Sequence, residues 1–119
     1  NKAVEYYKQA ADQNDLAAIC NLAACYHYGW GVEKSKTETI NLLKKAADQN
    51  YGKGFFDLAT LYRYDQGNEK SLPLAIRYYQ KAIEQNYRVD EALKNIAECE
   101  DSLSRLQKYQ TAATHGDST

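Results

Sequence analysis

Apolar residues recur at the helical period along most of the chain. Ala75, Ile76, Tyr79, Ala82 and Ile83 fall on one 3.6-residue stripe, and Thr39, Ile40, Leu43, Ala46, Ala47 and Ala3, Val4, Tyr7, Ala10, Ala11 repeat that stripe earlier in the chain. Each predicts an amphipathic helix with one face to bury. Between these stripes lies a second kind of segment, carrying Leu22, Ala23 and Tyr26 in one copy and Leu58, Ala59 and Tyr62 in the next. Small Ala beside large Tyr lets neighbouring helices approach closely. The punctuation agrees with the stripes. Ser35-Lys36-Thr37-Glu38 is a capping-box sequence, and Pro73 sits where a first helical turn tolerates it. Gly29 and Gly31, or Gly67, close the first helices, while Asn14, Asn50 and Asn86 follow the stripes as residues that accept a left-handed cap.

The phrases KQAADQN from Lys8, KKAADQN from Lys44 and QKAIEQN from Gln80 stand 36 residues apart (8, 44, 80). A period of that length belongs to solenoids, in which a hairpin that cannot bury its apolar face alone stacks on the next. The predicted fold is all-α: an α-α superhelix, a right-handed solenoid of antiparallel helix hairpins. Its organisation reads as a partial repeat over 1–15, repeats over 16–51 and 52–87, a helix over 89–109 and a flexible tail over 111–119. The chain contains no Met and opens inside a helical pattern, so it reads as a piece of a longer array.

The run Leu22-Ala23-x-x-Tyr26-x-x-Gly29-x-Gly31-Val32, followed by Ile40-x-Leu42-Leu43-x-Lys45-Ala46-Ala47, resembles the Sel-1-like repeat, a relative of the tetratricopeptide repeat. The resemblance covers residues 1 to 87. It departs from the family pattern where Ala23 replaces the Gly after Leu, where Ser35 or Ser71 replaces an Asp, and where Asp65 and Asn68 stand in place of Gly29 and Val32. What the resemblance implies is a scaffold for protein complexes.

A third first-helix begins near Val89, but the motif then stops. Ala92, Ile96, Cys99, Leu103 and Leu106 continue at spacings of four and three, predicting one long helix from about Asp90 to Tyr109. With Glu98, Asp101, Arg105 and Lys108 outward, such a helix caps the last apolar face of a solenoid. The rival reading is a homodimer seam through residues 92–106.

Charge and composition narrow the partners. Fifteen Lys and Arg against sixteen Asp and Glu leave a net charge of −1, so no overall field exists to hold a nucleic acid or a membrane surface. No apolar run approaches a membrane span, and no signal-peptide pattern opens the chain. Three Cys without framework spacing fit a reducing compartment, so a soluble cytoplasmic protein is expected, with export as a bacterial effector the alternative.

The clusters that invite chemistry fall short of it. Cys20, Cys25 and His27 project at different angles from a helix and lack metal-ligand spacing. His27 is the one His outside the tail, and Gly29-Trp30-Gly31 lacks the length and the Lys-Ser/Thr ending of a phosphate loop. No catalytic, cofactor or metal residues are assigned, and the reading is of a non-enzyme. Most of the eleven Tyr occupy repeat-equivalent positions, which packing explains.

In a helical-hairpin solenoid the first helices line the concave face. The positions not spent on the Leu-Ala-Tyr motif are Ala17, Cys20, Ala24, His27 and Tyr28, then Lys53, Phe56, Thr60, Arg63 and Tyr64. Of these, His27, Tyr28, Lys53, Phe56, Thr60, Arg63 and Tyr64 are the candidate protein-binding residues, with His27/Arg63 and Tyr28/Tyr64 forming an aromatic-basic ladder. The competing reading spends Phe56 and Tyr64 on packing between repeats. A carboxylate clamp is not expected, because its positions would hold Cys20, Ala24, Phe56, Thr60, Lys94 and Glu98, of which Lys94 alone is a suitable donor. The expected function is binding of a partner protein or peptide in the concave groove. The alternative is a structural spacer or self-association module acting through the C-terminal helix.

Overall fold

The structure, a computed structural model, describes residues 1–66 and 70–116. The expected closing residue Gly67, the Asn68 departure and the last three tail residues lie outside them. Among the described residues six α-helices follow in order: α1 (Lys2–Asp12), α2 (Leu16–Tyr28), α3 (Lys36–Ala47), α4 (Gly52–Leu61), α5 (Ser71–Glu84) and α6 (Val89–Gly116), with a π-helical turn, Tyr62–Gln66, continuing α4. No strand occurs among the described residues. Each helix packs mainly on the next in sequence, and α2 also touches α4. The result is an α-α superhelix of 62 × 31 × 19 Å.

Local chemistry sets the helix ends. The side chain of Asn1 accepts from the Ala3 and Val4 amides (2.9 and 3.3 Å), that of Asp15 from Ala18 (3.1 Å) and that of Ser35 from Glu38 (3.1 Å). The Ser35 amide donates to the Tyr26 carbonyl at 3.1 Å, which ties the start of α3 back to α2. At the other ends Asn14, Asn50 and Asn86 adopt φ of 64°, 59° and 58°. Their amides donate to Ala11, Ala47 and Ile83, and the amide of the following residue reaches Ala10, Ala46 and Ala82 at 3.0, 3.2 and 2.9 Å. This is the Schellman motif three times over, with Asn supplying the left-handed residue. The turn predicted from the repeated QN phrase is therefore the turn observed.

The stripes face inward as predicted. Leu43, Ala46, Ala75, Tyr79 and Ala82 from the second helices meet Ile19, Leu22, Ala23, Leu58 and Ala59 from the first. At the α3–α4 crossing a Cβ added to Gly54 would stand 2.8 Å from the Ala46 Cβ and 3.0 Å from the Ala47 amide nitrogen, so these helices meet at backbone distance.

The last helix buries Ala92, Ile96 and Cys99, with Leu103 and Leu106 half-covered against the same core. Three of the five residues of the 92–106 stripe are thus buried within the chain, on the side facing α5. Helix α6 also continues past the predicted end at Tyr109 to Gly116. No Pro or Gly interrupts Gln110-Thr111-Ala112-Ala113, so nothing in the local sequence stops it earlier.

Candidate functional site

The α2 and α4 helices run beside each other and enclose an open groove of about 580 Å³. Its floor is hollow because α2 presents Cys20, Ala23 and Ala24 there, backed by Leu43 of α3 and Leu61 of α4. Small side chains at these positions leave volume that larger ones would occupy.

Five of the seven candidate residues line this groove: His27, Tyr28, Lys53, Thr60 and Tyr64. Tyr28 and Tyr64 are 55% and 69% exposed. His27 meets the Tyr28 ring edge-on, with centroids 4.7 Å apart. Lys53 donates to Asp57 one helical turn on, at 2.9 Å, with each side chain about a third exposed (34% and 30%). Burial pulls the Lys53 ammonium down, but the hydrogen bond and charge of Asp57 outweigh it and the pKa rises. Thr60 has its hydroxyl committed. It donates to the Phe56 carbonyl at 2.9 Å, which leaves its oxygen to accept from the Tyr79 hydroxyl, also at 2.9 Å.

The other two residues lie elsewhere. Phe56 is 8% exposed. Its ring packs edge-on against Tyr79 (5.2 Å) and Tyr87 (5.7 Å), so it belongs to the core between α4 and α5, as the competing packing reading holds. Arg63 turns toward α6, where its guanidinium donates to Asn95 at 2.9 Å and Glu98 at 2.8 Å, and its side chain is only 14% exposed. The ladder of His27 and Arg63 along one groove does not form, because Arg63 is long enough to reach acceptors on the next first-type helix. It still touches the groove indirectly, since its guanidinium covers the Tyr64 ring at 4.7 Å.

Among the lining residues outside the predicted concave set, two carry aromatic or charged groups, Trp30 and Asp57. Trp30 is 58% exposed and stacks on Tyr28, with centroids 4.5 Å apart and planes 20° from parallel. Left-handed Gly29 and Gly31, with φ of 76° and 74°, turn the chain so that this ring folds back over the end of α2. The signal was a Trp flanked by two Gly after a helix, read only as a turn. Asp57 is the other, and its signal was the i,i+4 spacing to Lys53.

The Cys20 thiol at the groove floor is pushed up to about 12, chiefly by burial and further by the charge of Asp57, with Lys53 opposing. It is a packed side chain and not a thiolate nucleophile. Among the described residues no group of three or more His, Cys, Asp or Glu is placed to hold a metal ion, and no helix is long and apolar enough to cross a membrane.

Residues 1–15, 16–51 and 56–87 each match the Sel1 repeat. Among solved structures the fold is similar to the crystal structure of a Sel1 repeat protein from Oxalobacter formigenes, with 37% identity over 70% of this chain and a TM-score of 0.63. The chain spans about a third (34%) of that protein's length. Curated protein sequences give no match.

Proposed function

The chain belongs to the Sel1 repeat family, whose members are generally protein–protein interaction modules and typically not enzymes, and from that membership we propose that it is a scaffold holding a partner protein or peptide in the groove between α2 and α4. The observation that carries this reading is the convergence of Tyr28, Trp30 and Tyr64, all more than half exposed, on one hollow. Scattered exposed apolar residues need no explanation, but three large aromatic rings around a concavity form the kind of anchor site that dominates binding energy in interfaces. A spacer or self-association role through residues 92–106 has less support, because Ala92, Ile96 and Cys99 of that stripe are already buried within the chain.

Placing a photo-crosslinking phenylalanine derivative at Tyr64, and in a separate variant at Lys44 of α3, tests the reading in the native cell. Lys44 is exposed and lies outside the groove lining. A discrete adduct from position 64 but not from 44 is the expected outcome. Equal labelling at both positions would remove the groove from the account.

A further inference from the structure

Resting on that reading, we infer that the groove takes its partner by an uncharged, bulky apolar side chain, aromatic or branched aliphatic, seated over Ala24 beside the Tyr28–Trp30 stack. Charge complementarity decides the occupant. The fixed charges at the groove are already matched within the chain: Lys53 by Asp57 at 2.9 Å, and Arg63, beneath Tyr64, by Glu98 at 2.8 Å. An acidic anchor at Lys53 would lie beside the Asp57 carboxylate, and a basic one at Asp57 would lie beside the Lys53 ammonium. Each would meet a like charge together with the opposite one and still lose its own hydration, which leaves little net gain.

The rest of the lining is largely apolar. Exposed Tyr28, Trp30 and Tyr64 stand around half-buried Ala24, with buried Cys20, Ala23, Leu43 and Leu61 beneath it. Both lining threonine hydroxyls are committed: Thr39 donates to the Ser35 carbonyl at 2.7 Å, and Thr60 bonds to the Phe56 carbonyl and Tyr79. The opening of about 580 Å³ lies in the range of preformed pockets that bury most of a compact apolar ligand, about 300–1,000 Å³. The ion pair at the rim still has a use. Lys53 can donate to a backbone carbonyl of the incoming segment, and Asp57 can accept from a backbone N–H, without either giving up the other. The groove therefore selects a side chain by shape and apolarity, and holds its flanking main chain by polar contacts.

The test is a random peptide library displayed on phage and selected on the whole chain, with the enriched peptides synthesised and measured by calorimetry at low and high salt. Trp30→Ala and Ala24→Lys serve as groove variants, each checked for unchanged helical circular dichroism. The expected result is a shared aromatic or branched aliphatic position, an affinity that barely changes with salt, and a loss of about tenfold or more in both variants. Peptides with a charged consensus and salt-sensitive affinity, still weakened by Trp30→Ala, would overturn the apolar anchor and leave the groove as the binding site. Peptides indifferent to both variants, or no enrichment at all, would overturn the groove reading and the anchor together. Trp30 is exposed, so its variant keeps the test decisive should Ala24→Lys fail to fold.

Discussion

The two complete repeats share a backbone plan and differ in what fills it. Where the first has Ile19, Cys20, Ala24 and Leu43, the second has Phe55, Phe56, Thr60 and Tyr79. In the second the large rings pack on one another, and the one buried hydroxyl that comes with them, on Tyr79, is satisfied by Thr60. In the first the same positions carry smaller side chains, and the groove opens at three of them, Cys20, Ala24 and Leu43. The connections between neighbouring first-type helices differ in the same sense. Arg63 spans from the π-helical turn to Asn95 and Glu98 of α6 and closes that gap. His27, its counterpart one period earlier, would meet Asp57 and Thr60 by the same correspondence, but its shorter side chain stands at the groove and Asp57 bonds to Lys53 instead. A solenoid of equivalent hairpins thus acquires a site where side-chain volume and reach fall short, with no change in topology.

The largest effect should come from the ring that fills the second repeat. Phe56→Ala is expected to cost about 3–5 kcal/mol in urea unfolding, whereas Cys20→Ala, which removes one sulfur from an already open region, should cost about 1 kcal/mol. Equal costs would mean that the two repeats are equally filled. Next comes the helix crossing: Gly54→Val should destabilise by about 2–3 kcal/mol, since the contacting atoms include backbone of α3 that cannot move aside. The equivalent Ala18 already carries a Cβ, so Ala18→Gly should cost only about 1 kcal/mol, mostly in helix propensity.

Arg63→Gln should cost about 1–2 kcal/mol and release α6 amides to hydrogen exchange before those of α2, while His27→Gln stays within about 0.5 kcal/mol. Unchanged protection in α6 would show that Arg63 does not hold that helix. The smallest stability effect is the most pointed. His27→Arg should bring a guanidinium within reach of Asp57, changing stability by less than about 1 kcal/mol. Yet it should weaken groove peptides about tenfold by spanning the opening as Arg63 does one repeat later. Unaltered peptide affinity would separate side-chain reach from groove formation.

Much of this fold was legible before any coordinates. The Asn caps, the stripes and the hairpin order follow from local propensity and period, which act over a few residues at a time. What equivalence by period could not supply was the direction of a side chain whose partner lies outside the repeated pattern. Arg63 was matched to His27 by offset, yet its acceptors sit on α6, where the motif has lapsed. The π-helical turn at Tyr62–Gln66 was equally hidden, since it arises where Asp65 replaces the Gly that ends α2 in a left-handed cap. Register pairs Phe56 with Cys20 and leaves it open between groove and packing, and the choice turns on Tyr79 and Tyr87, which a ring of its size finds to pack on. Trp30 is hard to place from sequence because the two Gly around it specify the turn but not the stacking of its ring on Tyr28.

Contacts in this chain run almost wholly between successive helices, along a body 62 Å long and 19 Å thick. Mechanically, that is a leaf spring. A slight rotation at each interface adds to the next, so the ends can travel far while no single contact is strained much. The Arg63 bridge ties two first-type helices together across one step of the spring. A partner seated between α2 and α4 would tie the step before it in the same way.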